Sequence, residues 1–315
     1  MRTKKTTKRI LFGSAIVLGV AAIALAGYAY RVYNSIEETA AIMYEEPAKP
    51  LYHSKDPEVR PLAKPAAAET EQPSPFTILV MGVDERKNDR GRSDTIIVLS
   101  VNPVKKSTLM FNIPRDTKTA IIGRGTSDKI NHAYAFGGIE MSLQTVENFL
   151  DYPINYYLKV NMEGFSRIID LMGGVDVDNP FAFHYQGAEF RQGELHLDGE
   201  HALLYSRMRF DDPQGDRGRN ARQRQILKDL MKNGASLSSI AKIDELLAAA
   251  GDHVKTNLTF GEMKTLLRDY RPSLERLDTE EIKGRGEIAG GIWYFQVNEA
   301  ERTRLHDALK NHQAG

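Results

Sequence analysis

Residues 76–113 read FTILVMGVDERKNDRGRSDTIIVLSVNPVKKSTLMFNI, and this stretch decides the fold. It contains three short apolar runs rich in Ile, Val and Leu, at Phe76–Met81, Thr95–Val101 and Thr108–Ile113. Glycine, asparagine and proline bound these runs, so we predict three strands that are buried on both faces. Such strands need a covering layer on each side of their sheet.

Helical and strand patterns alternate after these runs. Apolar spacing predicts helices at Ile139–Leu150 and Asn161–Met172, with a strand at Tyr156–Val160 between them. The pattern then stays helical to the C-terminus, with helices predicted at Arg219–Asn233, Leu237–Ala250, Phe260–Tyr270 and Asn298–His312. The fold class predicted is therefore α/β, a central mixed β-sheet sandwiched between helices, with residues 76–315 as one domain.

The 45 residues before this domain have a different composition. Residues 31–75 contain seven of the 13 prolines and a short alanine tract at residues 66–68. A chain of this composition lacks the apolar side chains for a packed core. We expect a semi-extended stalk here, with the folded domain beginning at Phe76.

The N-terminus carries a hydrophobic segment. Residues 10–30 form 21 residues without a charge, long enough as a helix to span a bilayer, and residues 1–9 carry five basic side chains and no acid. This pattern predicts one transmembrane helix with a cytoplasmic N-terminus and everything after it outside the cell membrane. A cleaved signal peptide is the alternative, because Ala24-Leu25-Ala26 fits a cleavage site.

Composition excludes several kinds of site. The chain has 42 basic and 42 acidic residues and no cysteine. Disulfides, thiolate zinc sites and cysteine nucleophiles are therefore excluded. A neutral chain also has no global basic surface for nucleic acid, so any cationic site must be local.

One local cationic segment exists at residues 205–228, YSRMRFDDPQGDRGRNARQRQILK, with seven basic and three acidic side chains. Surface ion pairs such as Arg207 with Asp211 and Arg209 with Asp212 are the simplest explanation. However, helical spacing places Arg219, Arg222 and Gln223 on the face of the apolar stripe at the start of a helix, where backbone N–H groups also favour anions. The segment therefore predicts an anion site at the edge of the core.

Further charges stand at strand ends. Asp84 ends the first predicted strand and Asp94 begins the second, beside Arg92, so the two carboxylates should converge at one sheet edge. Paired carboxylates without His or Cys suit Mg²⁺, although an Asp after a strand is more often a turn residue. Arg115 and Lys129 follow later strands and would join the same rim.

In the order MGVDER, GRSDT, NIPRDT, KINHAY, LDGEHALLYSRMRFDD and GDRGRNARQRQ, these motifs resemble the LytR, CpsA and Psr family of exported bacterial cell-wall proteins. The resemblance covers residues 76–233, and residues 234–315 resemble only the variable C-terminal part of the family. It implies a phosphotransferase that moves an anionic glycopolymer, such as teichoic acid, from undecaprenyl pyrophosphate to peptidoglycan through a phosphodiester bond. An apolar tunnel opening at the charged rim is expected for the polyprenyl tail.

The resemblance also implies residue roles. Asp84 and Asp94 would hold Mg²⁺, with Mn²⁺ as a possible substitute. Phosphate oxygens would be contacted by Arg92, Arg115, Lys129, Arg207, Arg209, Arg219, Arg222 and Gln223, and the catalytic set would comprise Asp84, Asp94, Arg92, Arg115, Arg207 and Arg209. The general base stays open among Asp84, Asp211, Asp212 and Asp216. Alternatives are a polyprenyl-pyrophosphate hydrolase and a non-catalytic lipid-carrier binding or regulatory membrane protein.

Overall fold

The computed structural model describes residues 30–31, 33–50, 52–59, 73–85, 90–233 and 250–314. The predicted transmembrane segment and the predicted helix at Leu237–Ala250 lie almost wholly outside these residues. In the described part of the chain, no helix is long and apolar enough to cross a bilayer.

Strands occupy much of the described chain. Their bounds are β1 (Phe76–Val83), β2 (Ser93–Asn102), β3 (Ser107–Asn112), β4 (Lys118–Ile121), β5 (Thr126–Lys129), β6 (Tyr156–Asn161), β7 (Val175–Asn179), β8 (Phe183–Tyr185), β9 (Ala188–Phe190), β10 (Gly193–Leu197), β11 (Val254–Thr256), β12 (Arg276–Glu280), β13 (Arg285–Ala289) and β14 (Ile292–Gln296). Helices are α1 (33–43), α2 (His132–Leu150), α3 (Met162–Met172), α4 (Gly199–Arg207), α5 (Asp216–Asn233), α6 (Phe260–Asp269) and α7 (Glu299–Gln313).

The central sheet has six strands in the order β11-β6-β1-β2-β3-β12. The pairs β1–β6 and β3–β12 are parallel, whereas the other neighbours are antiparallel. The sheet is therefore mixed, as predicted, and the three apolar runs at residues 76–113 form its centre.

Helices cover both faces of this sheet, which confirms the predicted sandwich. On one face, Leu79 and Val98 pack in a cluster with Leu143 of α2 and Leu305 of α7. On the other face, Ile97 and its neighbours pack against side chains of α5 and α6. Every residue of β1 is buried or partly buried because the strand receives a layer on each side, which explains its mainly apolar sequence.

The prediction that the chain stays helical after Arg219 is wrong. Residues 254–296 contribute β11, β12 and the β13–β14 hairpin. β11 and β12 are short edge strands, and the exposed positions of β12 and β13 give neither an apolar run nor a clear alternation. The Gly290–Gly291 pair, with positive φ at both residues, makes the hairpin turn and was the available signal.

The segment before the domain also differs from the expected stalk. Tyr44 forms a parallel bridge with Thr256, and the Lys49 amine lies 2.5 Å from Glu147. Asp56 pairs with Lys310 at 2.7 Å. Although this segment has few apolar residues, buried and partly buried ion pairs hold its described part against the domain. The domain boundaries themselves stay predictions.

Candidate active site

A cavity of about 460 Å³ lies between one face of the central sheet and helices α3, α4 and α5. Its walls are mainly apolar, because β1, β6 and the helices contribute residues such as Val80, Phe165 and Leu230. Its polar residues include hydroxyl groups as well as charged and amide side chains. Those predicted from the sequence that line it are Asp94, Arg115, Arg207, Arg209, Arg219 and Gln223.

Asp94 lines this cavity and lies at a β-bulge between β1 and β2. Gly82 pairs with Thr95 and Val83 pairs with Ser93, so Asp94 is the extra residue between two paired positions. Its Oδ2 accepts a hydrogen bond from Arg115 Nη1 at 2.7 Å, and its Oδ1 accepts one from Asn131 at 3.2 Å. The predicted meeting of Asp94 and Arg115 is thus present in the structure.

Asp116 holds the cationic rim together. This buried carboxylate lies 2.7 Å from Lys129 Nζ, 3.8 Å from Arg115 Nε and 3.9 Å from Arg209 Nη1. Asp116 is not among the site residues predicted from the sequence, although it stands beside Arg115 in the motif NIPRDT. Through this residue Lys129 belongs to the rim without lining the cavity itself.

Arg219 is the most unusual side chain of the rim. It is 4% exposed in the first turn of α5, and burial lowers the pKa of its guanidinium. Although its Nη2 lies 2.8 Å from Asp216 Oδ1, neither Nη2 nor Nε makes a hydrogen bond of acceptable geometry in the described part of the chain. Buried N–H donors without acceptors are unfavourable by about 1–3 kcal/mol each, so this group favours an anionic ligand.

Arg222 requires a correction, because it is not among the residues that line the cavity. Its Nε donates to the Tyr205 carbonyl at 2.9 Å, its Nη1 lies 2.5 Å from Asp212, and its Nη2 donates to the Met208 carbonyl. With every guanidinium nitrogen already bound to protein, Arg222 joins α4, α5 and the loop between them. The predicted phosphate contact does not fit this position.

The anticipated surface ion pairs are also absent among the described residues. Asp212 pairs with Arg222 instead of Arg209, and no contact joins Arg207 to Asp211. Asp212 is 2% exposed at its side chain and so is unavailable as a general base. Arg207 lines the cavity with no partner among the described residues, and the Gln223 side chain is held by Asn112 at 3.0 Å.

Asp84 and Arg92 stand at the same sheet edge but do not line the cavity. The Asp84 N–H donates to the Arg92 carbonyl at 3.1 Å. Between them Gly91 has a φ of +70°, and a Cβ there would lie 1.8 Å from the Asp84 carbonyl oxygen. The close approach of the two strands requires glycine, and it keeps Asp84 and Asp94 at one edge.

This edge offers at most a small metal-ligand set. Among the described residues, no group of three or more His, Cys, Asp or Glu side chains is arranged to hold a metal. Two carboxylates at one edge nevertheless fit Mg²⁺, which often takes one or two carboxylates and completes its shell with water and substrate phosphate oxygens. The donor set therefore fits Mg²⁺ provided that a phosphate ligand completes it.

The rim has an excess of positive charge. Its basic side chains are Arg115, Lys129, Arg207, Arg209 and Arg219, and the carboxylates in contact with them are Asp94, Asp116 and Asp216. Five cations against three anions leave two positive charges beside an apolar cavity. A ligand with two negative charges and a long apolar tail would complement both parts.

The chain is similar to known proteins in sequence and in fold. The LytR_cpsA_psr family model matches residues 30–311. A protein of Bacillus subtilis (strain 168) named polyisoprenyl-teichoic acid–peptidoglycan teichoic acid transferase TagU is 41% identical over 98% of this chain and 97% of its own length. The crystal structure of B. subtilis TagU, 43% identical, superposes with a TM-score of 0.63 over 77% of this chain and 98% of that one.

A second solved structure is of TagT bound to LIIa-WTA. It is 26% identical and superposes with a TM-score of 0.66 over 81% of this chain and 98% of that one.

Proposed function

Because this chain belongs to the LytR_cpsA_psr family, we propose that it is an exported phosphotransferase that joins an anionic glycopolymer to peptidoglycan. The donor is the glycopolymer, a teichoic acid or a similar polymer, on undecaprenyl pyrophosphate. The product is a phosphodiester on peptidoglycan, and undecaprenyl phosphate leaves. The names of the curated relatives, which specify polyisoprenyl-linked teichoic acid and peptidoglycan, support this substrate class.

The observation that carries this proposal is the position of Arg219. Its buried guanidinium retains N–H groups without a hydrogen bond and lines an apolar cavity whose other charged residues are three arginines and one aspartate. A polyprenyl diphosphate has the matching parts, since its two phosphate charges would lie at the rim and its tail along the walls. Neither a soluble anion nor a neutral lipid would use both parts.

The chain's own residues supply binding and charge stabilisation. A hydroxyl oxygen of peptidoglycan attacks the phosphorus bonded to the sugar of the donor, forming the new P–O bond, and the hydroxyl proton passes to a base for which Asp84, Asp211 and Asp216 are the candidates. The bond from that phosphorus to the bridging oxygen breaks, and the electron pair leaves with undecaprenyl phosphate. Arg115, Arg207 and Arg219 donate to the phosphate oxygens, whose charge is redistributed during this step.

Asp94 and Asp84 would hold the Mg²⁺ ion. The ion would neutralise charge on the diphosphate when it is bound. Asp94 also orients Arg115 through the 2.7 Å contact, so one carboxylate serves both the metal and the cationic rim. Asp116, in turn, fixes Lys129 and Arg209, and Arg92 would reach the phosphates from the adjacent loop.

Transfer from a defined undecaprenyl-pyrophosphate-linked donor to a peptidoglycan oligomer tests the proposal. We expect product with Mg²⁺ and loss of product with a chelator. Release of the carrier phosphate at an undiminished rate without acceptor would identify a hydrolase instead. Carrier binding without any turnover would identify a binding module.

The location follows from the predicted membrane segment. We propose a single-pass protein of the cell membrane, with a cytoplasmic N-terminus and the catalytic domain outside. A reporter fused after Gly315 should be active only when it is a type that functions outside the membrane. Activity of a cytoplasm-specific reporter at that position would contradict the proposed topology.

A further inference from the structure

The β13–β14 hairpin presents an exposed apolar surface beside the candidate active site. Ile288 pairs across the hairpin with Trp293, the single tryptophan of the chain. Ile288 is 72% exposed and Trp293, on the same face of the hairpin, is 44% exposed, whereas the neighbouring Ile292, 49% exposed, lies on the other face. Large apolar side chains exposed together in this way commonly mark a binding surface.

Glycine keeps the indole ring close to the hairpin backbone. A Cβ at Gly286 would lie 2.8 Å from the indole Nε1 and 3.2 Å from two further ring atoms of Trp293. Gly286 and Trp293 stand diagonally across the two strands. The missing side chain therefore leaves room for the indole against β13, and its exposed part remains available for contact with a flat apolar ligand face.

Polar side chains border the tryptophan. A small cleft of about 40 Å³ beside Trp293 is lined by Asn112, Asp216, Arg217, Arg224 and Glu281 among others. Arg217 is exposed and has no side-chain partner among the described residues. The cleft is too small to enclose a sugar, but its donors and acceptors border the exposed ring of Trp293, where hydroxyl groups at the edge of a ligand would lie.

The hairpin is joined directly to the cationic rim. The Phe295 N–H donates to the Asp116 carbonyl at 2.9 Å, and Thr117 forms a bridge with Phe295. Asn112 lies in the cleft and donates to Gln223, which lines the large cavity. The tryptophan surface and the diphosphate site are thus separated by one layer of residues.

We propose that Trp293 and this cleft form a sugar-binding subsite, in which a pyranose ring packs on the indole and its hydroxyl groups bond to the cleft. The proposal rests on the proposed function, because a sugar must lie next to the diphosphate on the donor side or bring its hydroxyl there on the acceptor side. An apolar ring face and polar edge match a pyranose, whereas a purely apolar partner would leave the cleft residues unused.

Intrinsic fluorescence tests the proposal, since the only tryptophan lies in the proposed subsite. The full-length protein in detergent is titrated with undecaprenyl diphosphate, with the same lipid carrying one N-acetylhexosamine, and with a peptidoglycan disaccharide-peptide. We expect a sugar-bearing probe to protect Trp293 from iodide quenching, and the sugar-free lipid to leave quenching unchanged. Protection by the lipid-linked sugar assigns the subsite to the donor, and protection by the disaccharide-peptide assigns it to the acceptor.

Substitutions provide the second test. Trp293→Ala should raise the KM for the sugar whose probe gave protection by about 5–10-fold with kcat nearly unchanged, and Trp293→Phe should recover part of the loss. Gly286→Ala should act in the same direction because its methyl group displaces the indole. Leu267→Ala, at an apolar side chain of α6 that is 74% exposed, is the matched control and should have no effect.

Equal quenching with all three probes, together with an unchanged KM in Trp293→Ala, would overturn the proposal. Binding to lipid vesicles that is lost in Ile288→Ser, with no sugar protection of Trp293, would also overturn it and make the hairpin a membrane contact. The proposed function is judged separately, from transfer by the unmodified protein and its loss in Arg219→Ala.

Discussion

Arg219 and Arg222 lie one turn apart on α5, and both are at least 96% buried, yet they have opposite environments. Each nitrogen of Arg222 is bound to protein, including a carboxylate. Arg219 also has a carboxylate beside it, Asp216 at 2.8 Å, but its Nε and Nη2 lack a hydrogen bond within the described chain. Burial by itself therefore does not identify a ligand-binding arginine, and the saturation of its hydrogen bonds does.

The difference between the two arginines matters because burying a cation has a large free-energy cost. Removing a guanidinium from water is costly unless acceptors replace the water. For Arg222 those acceptors belong to the protein and are present in every state of the fold. For Arg219 a bound anion would supply the missing acceptors. Binding of that anion would therefore recover part of the free-energy cost of burying the guanidinium.

The largest expected effect is on stability, at Arg222. Arg222→Met should destabilise the protein by about 3–5 kcal/mol, because the Asp212 carboxylate would stay buried without its cation. Urea unfolding measures this loss. The double variant Arg222→Met/Asp212→Asn should regain part of it. Normal stability combined with a loss of transfer would reverse the roles assigned to the two arginines.

The next effect is on catalysis, at Arg219. Arg219→Ala should lower kcat for transfer by about 10²–10³, the loss typical of a donor to a charged transition state. Its free energy of unfolding should change little, because removing a buried group with unpaired N–H donors offsets the loss of the contact with Asp216. Arg167→Ala, at an exposed arginine of α3, is the control. Full activity in Arg219→Ala would contradict the proposed role of Arg219 in binding the anionic ligand.

A somewhat smaller effect is expected at Asp94. Asp94→Asn keeps one acceptor oxygen, which can still bond to Arg115, but removes the second acceptor and the negative charge. We expect transfer to fall by about 10² and to need more Mg²⁺ for half-maximal activity. Mg²⁺ titration of both proteins measures this change. An unchanged Mg²⁺ response would mean that Asp94 only orients Arg115.

The smallest effect concerns the pH dependence of the free energy of unfolding, at His312. His312 lies between Ser100 Oγ at 2.7 Å and Ser107 Oγ at 3.0 Å, and burial lowers its pKa. As the pH falls through about 6.5, the unfolded chain binds a proton that the folded chain resists, so stability is lost.

Urea unfolding between pH 7.5 and about 5.5 tests this expectation, because unfolded His titrates in that range. His312→Gln should show a shallower fall of stability than the unmodified protein, by less than about 1.4 kcal/mol per pH unit, the limit for one proton. Parallel curves for the two proteins would contradict a depressed pKa at His312.

Much of the fold could be predicted because burial on both faces leaves a strong local signal. The runs at β1, β2 and β3 are mainly apolar, and helix α7 begins and ends within one residue of its predicted bounds. β11 and β12 were missed because edge strands are short and half exposed, so their sequences resemble other surface segments. β14 was missed although its sequence, IWYFQ, is rich in strand-forming residues. The contacts of residues 44–56 depend on distant partners such as Glu147 and Lys310.

The candidate site was likewise predicted only in part from the sequence. Six of the predicted residues meet at the cavity, because their strands end at one edge and α5 begins beside it. Asp116 was overlooked since nothing in NIPRDT shows that one carboxylate contacts three separate cations. Arg222 was misassigned because helical periodicity gives the face of a residue but not its hydrogen-bond partners.

The sequence by itself determined the layered α/β fold, the concentration of arginine at residues 205–228 and the motifs that indicate the family. The tertiary structure decided which arginines remain available to bind an anionic ligand and placed Asp94 at a bulge beside the cavity. Those outcomes depend on acceptors such as Asp212 and the Tyr205 carbonyl, which lie 10 and 17 residues from Arg222 in the chain. Apolar periodicity is a local property of the chain, whereas hydrogen-bond saturation is set by residues that only folding brings together.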